Sequence, residues 1–258
     1  MLVYDMPESE YRAHPGLNYS LLKTVIKKSP LHAWHEKLNP KEQTEAMRIG
    51  TLTHLAAQDM ESYSQTTCRA PVVDRRTKAG KEEWARFCEA NEGKTALTAE
   101  DDERLVMMGQ VIRDTAGPLV DNPFEVVSIV EKGEYSLKGR FDWLGEDYIV
   151  DLKTTTDASP DAFAKASWNF GYYMQAGFYC ALAEKERCID HSFFWIVIEK
   201  EPPYACVVYK ANDELIERGK QDAVRAIQMW LKCSEAGHFN GYMEGEIGLP
   251  SWTEKYYV

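Results

Sequence analysis

The chain has 258 residues, enough for one large domain or two small ones, and its 44% apolar and 28% charged residues are the composition of a folded globular protein. No apolar run approaches the ~20 residues of a membrane helix, so no membrane partner is expected, and the six cysteines (68, 88, 180, 188, 206, 233) contain no Cys-x-x-Cys, which argues for reduced thiols in the cytoplasm and against a zinc site or an iron–sulfur cluster. The net charge of −11 weighs against a generally basic nucleic-acid binder, although carboxylates that hold a metal ion add negative charge without repelling a phosphate backbone once the ion is bound. The opening Met1-Leu2-Val3-Tyr4-Asp5-Met6-Pro7 has no basic region followed by an apolar core, so a signal peptide is not expected.

In chain order, residues 14–38 read as a loop entering a helix, capped by Asn18 or Ser20, with Leu21, Leu22, Val25 and Ile26 on its apolar face. Ser29-Pro30 ends that helix and starts another. Residues 44–60 form a further helical pattern with Gly50 and His54 on one face. A polar loop at 71–81 carries Arg75, Arg76, Lys78 and Lys81, and helical patterns follow at 80–91 and 98–116. Residues 124–132, 134–144 and 147–153 read as a meander of three strands turning at Gly133 and Gly145. One long helix is expected over 160–184, with Pro160 in its first turn and Trp168 packed in the core. Strands at 191–199 and 204–210 and a last helix at 212–235 complete the pattern. These elements predict one α/β domain over 1–258: a helical part to about 120, a sheet-and-helix core over about 121–235, and an irregular, aromatic tail over 236–258.

The chemistry concentrates in two strands. Asp142 lies on one and Asp151-Leu152-Lys153 on the next, nine positions later, so the two acids can meet across a hairpin. Alternation puts Asp151 and Lys153 on one face and Leu152 on the other. Two carboxylates and a lysine on one face suit a divalent metal that attacks a phosphodiester. Glu134 shares the face parity of Asp142, as a carboxylate behind the metal ligands, a ligand of a second metal, or a solvated edge residue. The basic loop (Arg75, Arg76, Lys78, Lys81) is a candidate phosphate clamp, and Thr154 could bond a DNA phosphate or help cap the next helix.

The acid–acid-x-lysine pattern, with His54 on a helix ahead of it and Gln175 and Tyr179 one turn apart on a helix behind it, resembles the RecB-like branch of the PD-(D/E)XK nucleases. The Ser20-Leu21-Leu22 and Ser29-Pro30-Leu31-His32-Ala33-Trp34 segments, and Asp74 to Lys81 with Trp84, resemble its RecE-type phage exonucleases, the exodeoxyribonuclease VIII catalytic domain. The resemblance spans about Pro15 to Trp230. It implies a restriction-endonuclease-like fold, with a mixed central sheet flanked by helices and a helical N-terminal part. It also implies metal ligation by His54, Asp142, Asp151 and the Leu152 carbonyl, with Lys153, Gln175 and Tyr179 completing the catalytic set.

The implied activity is Mg²⁺-dependent degradation of linear double-stranded DNA from its ends, 5′ to 3′, with Mn²⁺ as an alternative ion. The implied setting is phage-type recombination in a bacterial cytoplasm, with a ring-shaped homo-oligomer passing single strands to an annealing protein. Two other readings keep the fold: a CRISPR- or helicase-associated nuclease, and a non-catalytic DNA-binding or assembly protein.

Overall fold

The computed structural model describes residues 1–40, 44–242 and 244–249. The chain starts with β1 (Leu2–Val3), α1 (Glu8–Ala13) and β2 (Leu17–Asn18), then α2 (Tyr19–Lys27) and α3 (Pro30–Leu38). Next come α4 (Glu45–Gln58), α5 (Met60–Thr66), β3 (Thr67–Arg69), α6 (Lys78–Ala90), β4 (Thr95–Leu97) and α7 (Ala99–Val120). The meander is β5 (Phe124–Glu131), β6 (Ser136–Leu144) and β7 (Tyr148–Thr155). The rest is α8 (Pro160–Phe170), α9 (Tyr172–Arg187), β8 (Ser192–Glu199), β9 (Cys206–Lys210) and α10 (Asp213–Ala236).

The central mixed sheet has the order β1-β5-β6-β7-β8-β9. Its pairs are antiparallel except β7–β8, whose parallel ladder runs from Tyr148↔Ser192 to Thr155↔Glu199. That parallel pair needs a crossover, and α8 and α9 supply it. β2 adds in parallel to β6 at Leu17↔Leu137 and Asn18↔Lys138. The short strands β3 and β4 pair separately.

Two apolar layers cover the sheet. On one face Phe141, Ile149, Phe193, Trp195 and Val197 bury against Leu22, Phe163, Met174, Phe178 and Leu182 of the α2, α8 and α9 side, with α10 packed behind α9. On the other, Trp143, Val150, Leu152, Ile196 and Ile198 bury against Ala57 of α4 and Met108, Ile112 and Ala116 of α7. Both helices that later carry site residues are seated through glycines. A Cβ on Gly177 would lie 2.3 Å from Lys220 N and 2.6 Å from Ile216 O, and one on Gly219 would lie 2.2 Å from Tyr173 O, so α9 and α10 touch backbone to backbone. A Cβ on Gly109 of α7 would lie 2.7 Å from Ala56 O of α4.

The helix expected over 160–184 is two helices. Gly171, at φ +79°, ends α8 in the left-handed conformation and α9 restarts at Tyr172. The apolar period runs through this break, so pattern alone does not show it. The N-terminal part is less purely helical than expected, because β1 and β2 join the central sheet. Gly50 has nothing within 4 Å of where its Cβ would be, so it does not serve close helix packing. Of the aromatic tail, 250–258 lies outside the described residues, and the described part after α10 holds neither helix nor strand.

Gly177→Ala must push α10 off α9. It should destabilise the protein by about 1–3 kcal/mol in urea unfolding, whereas Ala at the open position Gly50 should stabilise it by up to about 1 kcal/mol through helix propensity. Asp59 ends α4 and caps α5, its carboxylate accepting from the Ser62 N–H (3.0 Å) and hydroxyl, and these hydrogen bonds hold its pKa below the ordinary value. Asp59→Ala should therefore cost about 1 kcal/mol at pH 7. With the folded-state pKa depressed, that stabilisation is present above pH ~4 and is lost as pH falls through the folded value. Unfolding curves of wild type and variant should converge in that acid range.

Candidate active site

β6 presents a forked edge. One side pairs with β5 along most of its length. The other pairs with β2 at Leu137 and Lys138 and with β7 only at Trp143↔Val150 and Leu144↔Ile149. In that register the next pair would be Asp142 opposite Asp151, and there the ladder stops. Instead of a β6 carbonyl, the Asp142 carboxylate accepts the Leu152 N–H, through Oδ2 at 2.7 Å. The β6 pleat also changes here: Phe141 faces the α9 layer while Trp143, two residues on, faces α7. Glu125, across β5 from Asp142 in the register, sits at φ +49°.

Helix α4 plugs the fork. His54 Nε2 lies 3.2 Å from the Leu152 carbonyl oxygen and its Nδ1 lies 3.4 Å from Asp142 Oδ2. Gln58, one turn later, donates to the Asp142 carbonyl at 3.2 Å. These two side chains serve the backbone groups that the broken ladder leaves without strand partners.

From the opposite layer, α9 reaches Asp151. Gln175 Nε2 donates to Asp151 Oδ1 at 2.7 Å, and Tyr179, one turn later, is buried with its ring edge-on to Phe141 at 5.2 Å. The other oxygen of Asp151, Oδ2, contacts the Lys153 ammonium in an ion pair. Lys153 Nζ also lies over the Tyr172 ring, 4.7 Å from its centre.

The electrostatics follow from burial against opposite charge. Burial raises the Asp151 pKa to about 6, partly offset by Lys153 and reinforced by Asp142. Burial works to lower the Lys153 pKa, but the carboxylates of Asp151 and Asp142 outweigh it and the net shift is upward. Lys153 is thus a cation and a hydrogen-bond donor at neutral pH, not a base. Burial also pushes the Tyr179 phenol well above its ordinary range, so it acts as a neutral hydroxyl.

The structure brings together His54, Asp142, Asp151, Leu152, Lys153, Gln175 and Tyr179. It does not bring in Glu134, which is exposed in the β5–β6 turn at the far end of β6 from Asp142. Shared face parity does not bring it in, because eight positions along an extended chain separate it from Asp142 by about 26 Å. The basic-loop residues have local partners instead: Arg75 stacks on Trp84 at 4.4 Å, Arg76 pairs with Asp74, and Lys78 lies 4.0 Å from Glu82. Lys81 is exposed on α6. Thr154 follows Lys153 on β7 opposite Ile198, on the other side of the pleat. Trp168, expected in the core, is 52% exposed and stacks on Tyr173. Gln58 and Tyr172 belong to the site and were not expected there. The four-residue step from His54 marks Gln58; nothing local in sequence marks Tyr172.

The profile of the "PDDEXK-like domain of unknown function (DUF3799)" matches residues 19–245, nearly the whole chain. The chain belongs to this family. Asp142 and Asp151-Leu152-Lys153 follow the acid–acid-x-lysine pattern for which PDDEXK domains are named. No curated protein matches the chain in sequence. Among solved structures, a candidate exonuclease from Eubacterium rectale is similar over 98% of both chains, with a TM-score of 0.60 and 13% identity, which supports the shared fold. An alkaline exonuclease from Laribacter hongkongensis aligns over 90% of this chain and 96% of its own, at 10% identity and a TM-score of 0.33.

The PDDEXK-like fold implies a divalent metal, and the donor set fits one. Two carboxylates, a backbone carbonyl and an imidazole converge in the fork. Both His54 nitrogens face oxygen atoms, Leu152 O and Asp142 Oδ2, so a nitrogen donor and two oxygen donors are gathered around one point of the fork. Among the described residues no three His, Cys, Asp or Glu side chains form a ready-made metal cluster. The carboxylate contacts to Leu152 N–H, Gln175 and Lys153 instead hold the donors in place.

Gln58→Ala would leave the Asp142 carbonyl without its side-chain partner. It should cost about 1 kcal/mol in urea unfolding. In any assay of the site it should lower kcat more than it raises KM, since it acts through the position of Asp142.

Proposed function

We propose that this chain is a metal-dependent exodeoxyribonuclease acting on the ends of linear double-stranded DNA. The observation that carries this reading is the fork between β6 and β7, where Asp142, Asp151, the Leu152 carbonyl and His54 face one another with Lys153 beside them. Asp142, Asp151 and the Leu152 carbonyl supply the oxygen donors that Mg²⁺ takes, and the His54 nitrogen favours Mn²⁺ as an alternative. Bound there, such an ion would polarise the scissile phosphate and acidify a water.

The chain's own groups do the rest. Hydrolysis forms a bond from a water oxygen to phosphorus and breaks the bond to the leaving sugar oxygen. Lys153, held as an ammonium by Asp151, donates to the attacking water or to a phosphate oxygen as negative charge builds. Gln175 fixes the orientation of Asp151. A cleft of about 780 Å³ beside α2 and α3 is lined by Arg12, His14, Lys23, Lys37 and Lys138 with Glu36, a cationic concentration on an acidic chain that suits a phosphate backbone.

Exonuclease action, 5′-to-3′ polarity and a role in phage-type recombination rest on the RecE-type resemblance. The structurally similar Eubacterium rectale protein, itself named as a candidate exonuclease, agrees with the first. The same resemblance supports a ring-shaped homo-oligomer, a single-strand annealing partner, and work in the cytoplasm of a bacterial host. Among the described residues no helix is long and apolar enough to cross a membrane.

Purified protein with linear duplex DNA and Mg²⁺ or Mn²⁺ should release nucleotides, chelation should stop it, and closed circular DNA should survive. Asp142→Asn, Asp151→Asn and Lys153→Met should each lose at least about 100-fold in rate. Equal release by wild type and all three variants, or none by any, would overturn the assignment. Elution as a monomer in scattering-coupled gel filtration would remove the ring.

A further inference from the structure

The break between α8 and α9 holds a large apolar ring out in solvent. Phe170, the last residue of α8, is 59% exposed, and Trp168 before it is 52% exposed. An exposed phenylalanine alone means little. This one sits on a turn tied down from several sides. Tyr19 Oη donates to the Phe170 carbonyl at 3.1 Å, and the Gly171 carbonyl accepts from Met174 N (2.9 Å) and Gln175 N (3.2 Å). Gly171 has φ +79°, and a Cβ there would lie 3.2 Å from Tyr19 Oη and 3.3 Å from the Lys23 stem. The ring is therefore carried by backbone that is itself fixed, which a residue exposed by default does not need.

The turn also belongs to the site by contact. Lys153 Nζ lies 4.7 Å from the centre of Tyr172, and Tyr172 lies 5.8 Å from Phe170, with the rings inclined at 37°. Phe170 is thus two steps from the lysine. Cations line the same strip: the Lys23 stem packs by Gly171, Lys27 Nζ lies 4.5 Å from the Trp168 ring and donates to the Trp168 carbonyl, and Arg218, which also pairs with Asp222, lies 5.9 Å from that ring. On a chain of net charge −11, exposed aromatic rings interleaved with lysines and arginine form the surface that a nucleic-acid strand takes, with phosphates on the cations and bases on the rings.

We propose that Phe170 is a stacking platform for a nucleobase of the bound DNA, one to three nucleotides from a phosphate held at Lys153, given a rise of about 3.4 Å per nucleotide. The proposal rests on the nuclease reading of the site and adds to it a residue that holds the strand through its base. Stacking on an aromatic ring does not discriminate among bases, so the platform would hold any sequence.

The test is a cycle between the ring and the base. Wild type, Phe170→Ala and Phe170→Trp, all full-length, are given linear duplexes that are intact or carry one abasic residue at the first, second or third position from the end. On intact DNA Phe170→Ala should be slower by about 5- to 150-fold and Phe170→Trp should stay near wild type. At one abasic position wild type should fall to the rate of Phe170→Ala. A parallel arm needs no cleavage: with EDTA and saturating protein, 2-aminopurine at the same positions should emit less with wild type than with Phe170→Ala. Equal rates of wild type and Phe170→Ala on intact DNA would overturn the proposal. So would a deficit that persists at all three abasic positions, which would mark a purely structural role. If wild type cuts no DNA but quenches 2-aminopurine through Phe170, the nuclease reading fails and the platform stands. If it cuts DNA without dependence on Phe170, only the platform fails.

Discussion

The structure depends on one substitution of partners in the sheet: the Leu152 N–H goes to the Asp142 carboxylate instead of a main-chain carbonyl of β6. A regular ladder would have paired Asp142 with Asp151 across the hairpin and filled the space between the strands. With the side chain as acceptor, the strands part, β2 takes the far end of the free β6 edge, and a gap opens between. Buried main-chain groups exposed by such a gap must find partners or cost stability. His54 and Gln58 are those partners, so the α4 histidine that would meet a metal also stabilises the strand break.

The same gap sets the electrostatics. Asp151 is almost fully buried, and burial alone would make its charge costly. Lys153 lowers that cost, and the pair persists because each remaining atom has a defined neighbour: Gln175 on Asp151 Oδ1, and the Tyr172 ring beneath the ammonium. A buried pair of this kind is weak evidence for stability. Its value is positional, since it holds a cation and two carboxylates at fixed separation beside a cationic aromatic surface on an otherwise acidic chain.

The helices that deliver these side chains are held by backbone contact. Glycines 177 and 219 let α9 and α10 touch, and Gly109 lets α7 approach Ala56 within one turn of His54. Larger residues at these points would move Gln175, Tyr179 or His54 by a fraction of an ångström or more, and misplacement on that scale is expensive for catalysis. Packing and chemistry are therefore coupled through a few small residues in the core.

Sequence alone determined the strand meander, the helical segment and the two strands that follow it, and the linear order His54, Asp142, Asp151, Lys153, Gln175 and Tyr179, because periodicity and spacing are local properties. Three things were decided by tertiary structure. Gly171 divides a continuous apolar period into two helices, since the turn is stabilised by Tyr19 donating to the Phe170 carbonyl from 151 residues away. Glu134 falls away from the acids because it lies in the β5–β6 turn, eight residues and about 26 Å of strand from Asp142, a distance that face parity alone does not register. Gln58, Tyr172 and Phe170 join the neighbourhood through contacts between elements far apart in the chain, which no window of sequence contains.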